Sequence, residues 1–386
     1  MERVRLVHVI TDLRRGGAEM MLYRLLERTD RRRFAHTVVS LTNAGGLGPS
    51  IAALGVPVHQ LGMRRGIPDV RAVWHLARLI RRERPDVLQT WLYHADLLGL
   101  VAGRLAGVRA VIWNVRCSDM DMRRYSWSSR LTRWLLSALS ALPAAVVVNS
   151  ERGRQAHERL GYRPRRWVVI PNGIDLARFR PDPDARARLR QELGLPLSAR
   201  LIAMVARYDP MKDHATFLRA AAELLGNGRA RARADVHFVG IGRGVTWDNP
   251  NLAALGQDLG LRGRVHLLGE RDDVERLLPG LDLGTLSSFG EGWPNVVGEA
   301  MACGVPCVVT DVGDAGTIVG EAGRVVPPGD PSTLARAWAE LLALPDGQRQ
   351  ALGAAARERI ATHFSLEQVV HKYEDLYEEL ADGSVG

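Results

Sequence analysis

A chain of 386 residues, 46% hydrophobic and 25% charged, is long enough for two ordinary globular cores. No apolar run approaches the ~18 residues of a spanning helix. Residues 1–10 lack a signal-peptide core, and Cys117, Cys303 and Cys307 show no metal-ligand spacing, so a cytoplasmic protein with reduced thiols is expected. The net charge of +9 is unevenly spread, with 29 basic and 13 acidic side chains over residues 1–172 but 23 and 30 over residues 173–386. A basic first half calls for an anionic partner, such as lipid, a lipid-linked pyrophosphate or nucleic acid. Lys212 and Lys372 are the only lysines. A general preference for arginine cannot explain the difference between the halves.

In chain order, short apolar strand patterns alternate with helical ones. The first strand, 4–10, leads through Gly16 and Gly17 into a helix reaching about Arg28. Glycines at such a turn let the backbone approach a phosphate closely, or simply make a tight turn. Strands at 36–41 and 56–61 follow. Residues 70–82 then form a basic amphipathic helix with Val70, Val73, Trp74 and Ala77 on one face and Arg71, Arg78 and Arg82 around another, preceded by Arg64 and Arg65. His94 stands just past the strand at 87–91, and Arg116 just past 110–115, at strand ends where α/β proteins gather ligands. Asp119 and Asp121 mimic a metal-binding Asp-x-Asp but fall in a polar loop, so no metal is expected there. The stretch 123–136 adds Trp127, Trp134 and four arginines. Basic helices carrying Trp can lie in a lipid headgroup layer or pack with a solvated Arg face. Strands at 145–150 and 168–170 complete the first series.

Residues 171–183, rich in Pro and Asp, form the expected linker. A second series has strands at 201–206, 236–240, 265–269, 281–286, 305–310 and 323–326, and the last helix, 366–380, is acidic. Such βα alternation predicts α/β architecture with two doubly wound parallel sheets, since one sheet rarely uses so many strands. The glycines Gly240, Gly242 and Gly244 have the wrong spacing for a dinucleotide fingerprint.

Residues 287–310 read Ser-Ser-Phe-Gly-Glu-Gly-Trp-Pro-Asn-Val-Val-Gly-Glu-Ala-Met-Ala-Cys-Gly-Val-Pro-Cys-Val-Val-Thr. Gly292, Pro294 and Asn295 mark a loop turning into a helix, with Pro294 in its first turn and Gly304 just past its end. Glu291 then sits before the helix N-terminus and Glu299 inside the helix. Backbone N–H groups at such an end attract anions, and two carboxylates accept from hydroxyls, which suits a sugar nucleotide.

This stretch resembles the signature of the retaining glycosyltransferases of family 4, which have the GT-B architecture of two Rossmann-like domains facing across a cleft. The resemblance implies domains at 1–172 on the acceptor side and 173–364 on the donor side, with 365–386 crossing back to the first. It implies that Gly16 and Gly17 touch the donor diphosphate, that Arg207 and Lys212 clamp it, and that Val296 and Val297 offer it backbone amides. Glu291 would bind sugar hydroxyls, helped by the Gly292–Trp293–Pro294–Asn295 turn, and Glu299 the ribose. His94 corresponds to the active-site histidine and Arg271 to a base contact; Arg116, from its place past a strand end alone, is expected at an acceptor phosphate. Growing charge on a departing nucleoside diphosphate is the physical reason for the two cations.

The expected partners are a UDP- or GDP-sugar donor, a hydroxyl acceptor such as a lipid-linked or polysaccharide precursor, and the inner face of an anionic membrane. No cofactor, catalytic metal or nucleic acid is expected. The rival readings are a nucleotide-sugar epimerase of the same architecture, a two-domain oxidoreductase lacking its G-x-G-x-x-G, and a nucleic-acid-binding module without a recognised motif.

Overall fold

The computed structural model describes residues 3–14, 16–64, 70–116, 127–226 and 235–383, with the backbone alone for Val70 and residues 127–130. Arg65, Cys117, Asp119, Asp121 and residues 123–126 lie outside the described residues. The chain forms two compact units, Met1–Gly173 with Leu366–Gly386, and Ile174–Ser365. The boundary falls within the proline-rich stretch 171–183.

In the first unit the strands β1 (Val4–Ile10), β2 (Phe34–Ser40), β3 (Val58–Gln60), β4 (Val87–Trp91), β5 (Ala110–Val115), β6 (Ala145–Val148) and β7 (Trp167–Val169) form one parallel sheet in the order 3-2-1-4-5-6-7. Helices alternate with them: α1 (Gly17–Arg28), α2 (Gly48–Ala53), α3 (Val70–Glu83), α4 (Tyr93–Ala106), α5 (Trp127–Leu139) and α6 (Glu151–Arg159). In the second unit come α7 (Ala185–Glu192), β8 (Arg200–Val205), α8 (His214–Gly226), β9 (Val236–Ile241), α9 (Pro250–Asp258), β10 (Val265–Leu267), α10 (Val274–Leu277) and β11 (Leu283–Leu286). They are followed by α11 (Asn295–Ala302), β12 (Cys307–Thr310), α12 (Ala315–Val319), β13 (Gly323–Val326), α13 (Pro331–Ala343) and α14 (Asp346–His363). Its sheet is also parallel, in the order 10-9-8-11-12-13. The last helix, α15 (Leu366–Ala381), belongs to the first unit.

Each strand expected from the sequence is present, its ends within two residues of expectation. The signal was continuous burial: β4, β5, β6, β9, β11 and β12 are buried along their whole length, as strands covered on both faces must be. Each sheet accordingly separates two apolar clusters. In the first unit, Leu6, Ile10 and Phe34 pack with Tyr373, Leu376 and Tyr377 of α15 on one side. Val7, Leu88, Val111 and Trp113 pack with Leu76 and Ile80 of α3 on the other. Gly173 is a close approach, because a Cβ there would lie 2.7 Å from the Leu366 Cα.

Strand order reverses between β1 and β4 in the first sheet and between β8 and β11 in the second. Loops leaving the carboxyl ends of two such strands part to opposite sides and leave a crevice, where open α/β sheets hold ligands. No described helix is long and apolar enough to cross a membrane.

Candidate functional site

In the second unit the crevice is built from the loops after β8 and β11. The β8 loop ends in a 3-10 turn, Pro210–Lys212, capped by Asp209, whose side chain accepts from the Met211 N–H at 3.0 Å. Asp213 then takes a left-handed conformation with φ 50°. This turn brings the Lys212 ammonium to 2.5 Å from Glu291 Oε1, the loop carboxylate after β11. Ser288 donates its hydroxyl to the same oxygen at 2.6 Å. The Phe289 N–H donates to the Met211 carbonyl at 2.9 Å, and the Ser287 hydroxyl lies within 3.1 Å of the Lys212 and Asp213 carbonyls. The two loops therefore hold each other, and the Lys212–Glu291 pair is mostly buried.

Two glycines bring neighbouring loops against the loops that carry this pair. Gly313, at φ 50° after β12, approaches so closely that a Cβ would sit 2.4 Å from the Glu291 carbonyl oxygen. Gly242, after β9, does the same to the Ala206 carbonyl, with a Cβ 2.1 Å away. Gly240–Gly244 thus supports the Arg207 loop by close packing. Arg207 itself is exposed and donates to Asp209 at 2.9 Å.

Helix α11 opens at Asn295. Pro294 is its N-cap rather than part of its first turn, with ψ 93°. First-turn N–H groups have no intrahelical partner, so proline's missing N–H is tolerated at the cap as in the first turn. Gly304, at φ 78°, lies just past the C-cap Cys303. Trp293 is buried, its ring 5.1 Å from that of Phe364. A pocket of about 290 Å³ opens along Val205, Arg207, Lys212, Glu291, Asn295 and Val296, with Trp293 and Pro294 in its wall. Of the two valines, Val296 lines this pocket. Val297 is buried in the core, and its N–H donates to the Pro294 carbonyl at 3.1 Å. Glu299 is half-buried within α11 and is not a wall of the pocket. Burial pushes the Cys303 and Cys307 thiols up to about 12, so neither is a thiolate nucleophile near neutrality.

Arg271, expected at a nucleotide base, is engaged with carboxylates. It donates to both Asp273 oxygens at 2.8 Å and to Glu192 at 2.6 Å. These acids hold its guanidinium above the usual range, and Arg271 is not among the pocket walls.

In the first unit Gly16 is the extended N-cap of α1 and Gly17 its first residue. A Cβ on Gly16 would meet the Glu19 carboxylate at 2.4 Å, while one on Gly17 would meet nothing within 4 Å. Glu19 thus folds over its own helix start. Burial, then Asp12, raises its pKa, against its own backbone N–H. His94 is exposed in the first turn of α4, entered through Leu92 at φ 75°. Partial desolvation lowers its pKa.

Two residues behind His94, Asp96 is fully buried. Thr90 Oγ1 lies 2.5 Å from Asp96 Oδ1 and 3.1 Å from the Ile112 carbonyl. One hydroxyl proton cannot serve two acceptors. The Thr90 hydroxyl therefore donates to one acceptor at a time, and burial drives the Asp96 pKa well up, against that hydroxyl and the Asn114 backbone N–H. This contact fastens the start of α4 to β4 and β5.

Arg116 is tied inward. It donates to Asn114 at 3.0 Å, to Tyr373 Oη at 2.6 Å and to Asn172, and its guanidinium stacks 4.7 Å over Trp91. In this unit it fastens α15 to the end of β5. Ser287, Ser288, Asp96 and Glu19 were not singled out from the sequence. A hydroxyl pair three and four residues before Glu291 was the available signal.

The profile described as glycosyltransferase family 4 matches residues 15–178, and that of glycosyl transferases group 1 matches residues 199–344. The chain is 26% identical over 314 residues to the UDP-Gal:alpha-D-GlcNAc-diphosphoundecaprenol alpha-1,3-galactosyltransferase of Escherichia coli, covering 81% of this chain and 80% of that protein. It is 36% identical over 228 residues to the D-inositol 3-phosphate glycosyltransferase of Salinispora tropica, covering 56% of this chain and 46% of that one. The crystal structure of Anabaena HepE in complex with UDP superposes with a TM-score of 0.81 at 21% identity, covering 97% of this chain and all of that one. The fold is that shared architecture, two Rossmann-like parallel-sheet domains, called GT-B. Together the matched profiles and the paired sheets place the chain in glycosyltransferase family 4, among the group 1 glycosyltransferases.

Proposed function

We propose that this glycosyltransferase moves a sugar from a nucleoside-diphosphate donor to a hydroxyl acceptor with retention at the anomeric carbon, and without a protein nucleophile, cofactor or catalytic metal. The observation that carries the reading is the Lys212–Glu291 pair at the β8/β11 switch point, beside the N-terminus of α11. A lysine ammonium has three donors, so its bond to Glu291 leaves capacity for phosphate oxygens. The positive end of the helix adds to the same field.

In the proposed step the bond from the anomeric carbon to the diphosphate oxygen breaks as the acceptor oxygen bonds on the same face. The acceptor proton passes to the leaving phosphate. Lys212 and Arg207 meet charge that is larger in the transition state than in the ground state, which is where stabilisation raises the rate. Glu291 accepts from sugar hydroxyls, with the Gly292–Asn295 turn beside it, and Glu299 takes the ribose. His94 and the Gly16–Gly17 turn stand at the first unit's own switch point and are assigned to the sugar and the phosphate respectively. Arg271 is retained as the base contact only if it leaves Asp273 and Glu192.

UDP is the favoured nucleotide. The E. coli relative is named for UDP-Gal, and HepE is described with UDP and with UDP-glucose. The same relative is named for a diphosphoundecaprenol acceptor, and the basic first half fits an acceptor held at an anionic lipid surface.

A thermal-shift screen of UDP- and GDP-sugars, followed by turnover with the best donor, tests the reading. Stabilisation by one donor class and acceptor-dependent release of the nucleoside diphosphate are expected. Release of a free epimer without acceptor, or no response to any nucleotide sugar, overturns it.

A further inference from the structure

Helices α3, α4 and α5 lie side by side over one face of the first sheet. Arg81 of α3 donates to the Leu105 carbonyl of α4 at 2.5 Å, and Arg104 of α4 donates to the Leu142 carbonyl, just past α5, at 2.7 Å. Their inner positions, including Leu76, Ile80, Leu100 and Leu136, share one buried core. The outer side of such a layer faces water and should be polar. Here it also carries large apolar side chains: Trp74 of α3 is 66% exposed and Trp134 of α5 is 64% exposed, with Val101 and Leu105 of α4 and Leu131 of α5 also open.

The charge on this layer has one sign. Across the three helices the sequence places seven arginines and two carboxylates, Glu83 and Asp96, and Asp96 is fully buried. The acidic helix α15, with Glu367, Glu374, Asp375, Glu378 and Glu379, packs in the core on the sheet's other side. Three of those acids are paired there, Glu374 and Glu378 with Arg33 and Glu379 with Arg166. Indole rings framed by arginines, with no exposed acid to repel phosphate, match the interfacial layer of an anionic bilayer. A nucleic-acid groove would explain the arginines but not the open aliphatic side chains of α4. A second copy of the same face would bring the exposed arginines of α3, Arg71, Arg78, Arg81 and Arg82, against their own kind.

We propose that the outer face of α3, α4 and α5 docks on an anionic lipid bilayer, with Trp74 and Trp134 entering the headgroup layer and the surrounding arginines meeting lipid phosphates. This deepens the proposed function by naming the surface that meets the membrane, and rests on it only for why such docking is useful. His94 opens α4, so docking would set the start of that helix at a fixed height above the lipid.

The test is sedimentation of the full chain with vesicles of phosphatidylcholine containing about 30% phosphatidylglycerol, against pure phosphatidylcholine, at about 0.1 M salt. Binding to the anionic vesicles should be stronger by roughly 10-fold or more and should weaken as salt rises. The double variant W74S/W134S should lose roughly 10-fold in vesicle binding, while its melting midpoint and any nucleotide-induced shift stay at wild-type values. Equal binding to neutral and anionic vesicles overturns the proposal, as does a double variant that binds like wild type. Self-association without lipid that the double variant abolishes makes the face an interface between copies, and retention of duplex DNA with no vesicle binding makes it a nucleic-acid surface; either overturns the lipid assignment. Nucleotide response is read separately, so a protein that binds vesicles but ignores every nucleotide sugar refutes the donor reading and leaves the docking face standing.

Discussion

Removing Lys212 should separate its pairing with Glu291 from the diphosphate contact proposed for it. The ammonium sits 2.5 Å from Glu291 Oε1, with side-chain exposures of 20% and 10%. Deleting one partner of a fully buried ion pair costs about 3–5 kcal/mol, mostly from the charge left behind. Residual exposure and the Ser288 hydroxyl, 2.6 Å from the same oxygen, reduce this, so Lys212→Met should destabilise the second unit by about 2 kcal/mol. In Lys212→Met/Glu291→Gln no charge is stranded. The double variant should recover most of that loss, giving a coupling of about 1–2 kcal/mol in urea unfolding. Nucleotide binding should not recover with it. A charge-assisted hydrogen bond to phosphate contributes about 1.5–3 kcal/mol, so both variants lacking Lys212 should bind UDP roughly 10- to 100-fold more weakly in calorimetry. Glu291→Gln alone should keep UDP affinity and lose roughly 10²-fold in turnover, as expected for a contact made in the transition state. Additive stability losses would show that the pair is not coupled. Wild-type UDP affinity in Lys212→Met would remove the lysine from the diphosphate site.

Asp96→Asn supplies an amide donor to Thr90 and should keep turnover within about 3-fold, whereas Asp96→Ala should lower it by roughly 10-fold or more and cost about 2 kcal/mol in unfolding. An Asn variant as poor as the Ala variant would show that Asp96 acts as a charged group. A second expectation concerns acid stability. Trp91 Nε1 donates to His8 Nδ1 at 3.4 Å, so His8 donates from Nε2 to His36 Nδ1 at 2.9 Å, leaving the His36 proton on a buried Nε2 without a partner. Burial, then Arg31, holds His36 at about 4. The unfolded chain takes up that proton below about 6.5 and the folded chain does not, so stability falls as pH drops from 6.5 towards 4. His36 should account for about 2 kcal/mol between pH 7.5 and 5. Urea unfolding of His36→Leu should show a shallower acid slope, and an unchanged slope would refute the assignment. Finally, Gly313→Ala adds a Cβ 2.4 Å from the Glu291 carbonyl at φ 50°. It should lower turnover well beyond any loss in melting temperature, and wild-type activity would show that this loop does not position Glu291.

Secondary structure was legible because parallel strands covered on both faces need runs rich in apolar and β-branched residues. The sequences Val-Arg-Leu-Val-His-Val-Ile and Ala-Val-Ile-Trp-Asn-Val show this even with polar residues inside. The shift of Pro294 from first turn to cap follows from a one-residue boundary that proline's fixed φ does not decide. The positions of Lys212, Glu291 and His94 beyond strand ends were also readable, since they lie next to recognisable runs. The neighbours of Arg116 and Arg271 were not legible, because an arginine after a strand looks the same whether it meets a ligand or another part of the chain. Their partners, Tyr373 and Asn172 for one and Glu192 for the other, lie far along the chain.

By itself, the sequence determined which segments become strands, where glycine and proline end them, and that basic side chains gather in the first half. Those properties depend on local burial period and backbone sterics, which neighbouring residues encode. The tertiary structure alone decided that one oxygen of Glu291 receives both Lys212 and Ser288, that Asp96 is buried against the Thr90 hydroxyl, and that Trp74 and Trp134 face outward from one helical layer. Strand order and helix packing choose such partners across long stretches of chain, and no local pattern carries that choice.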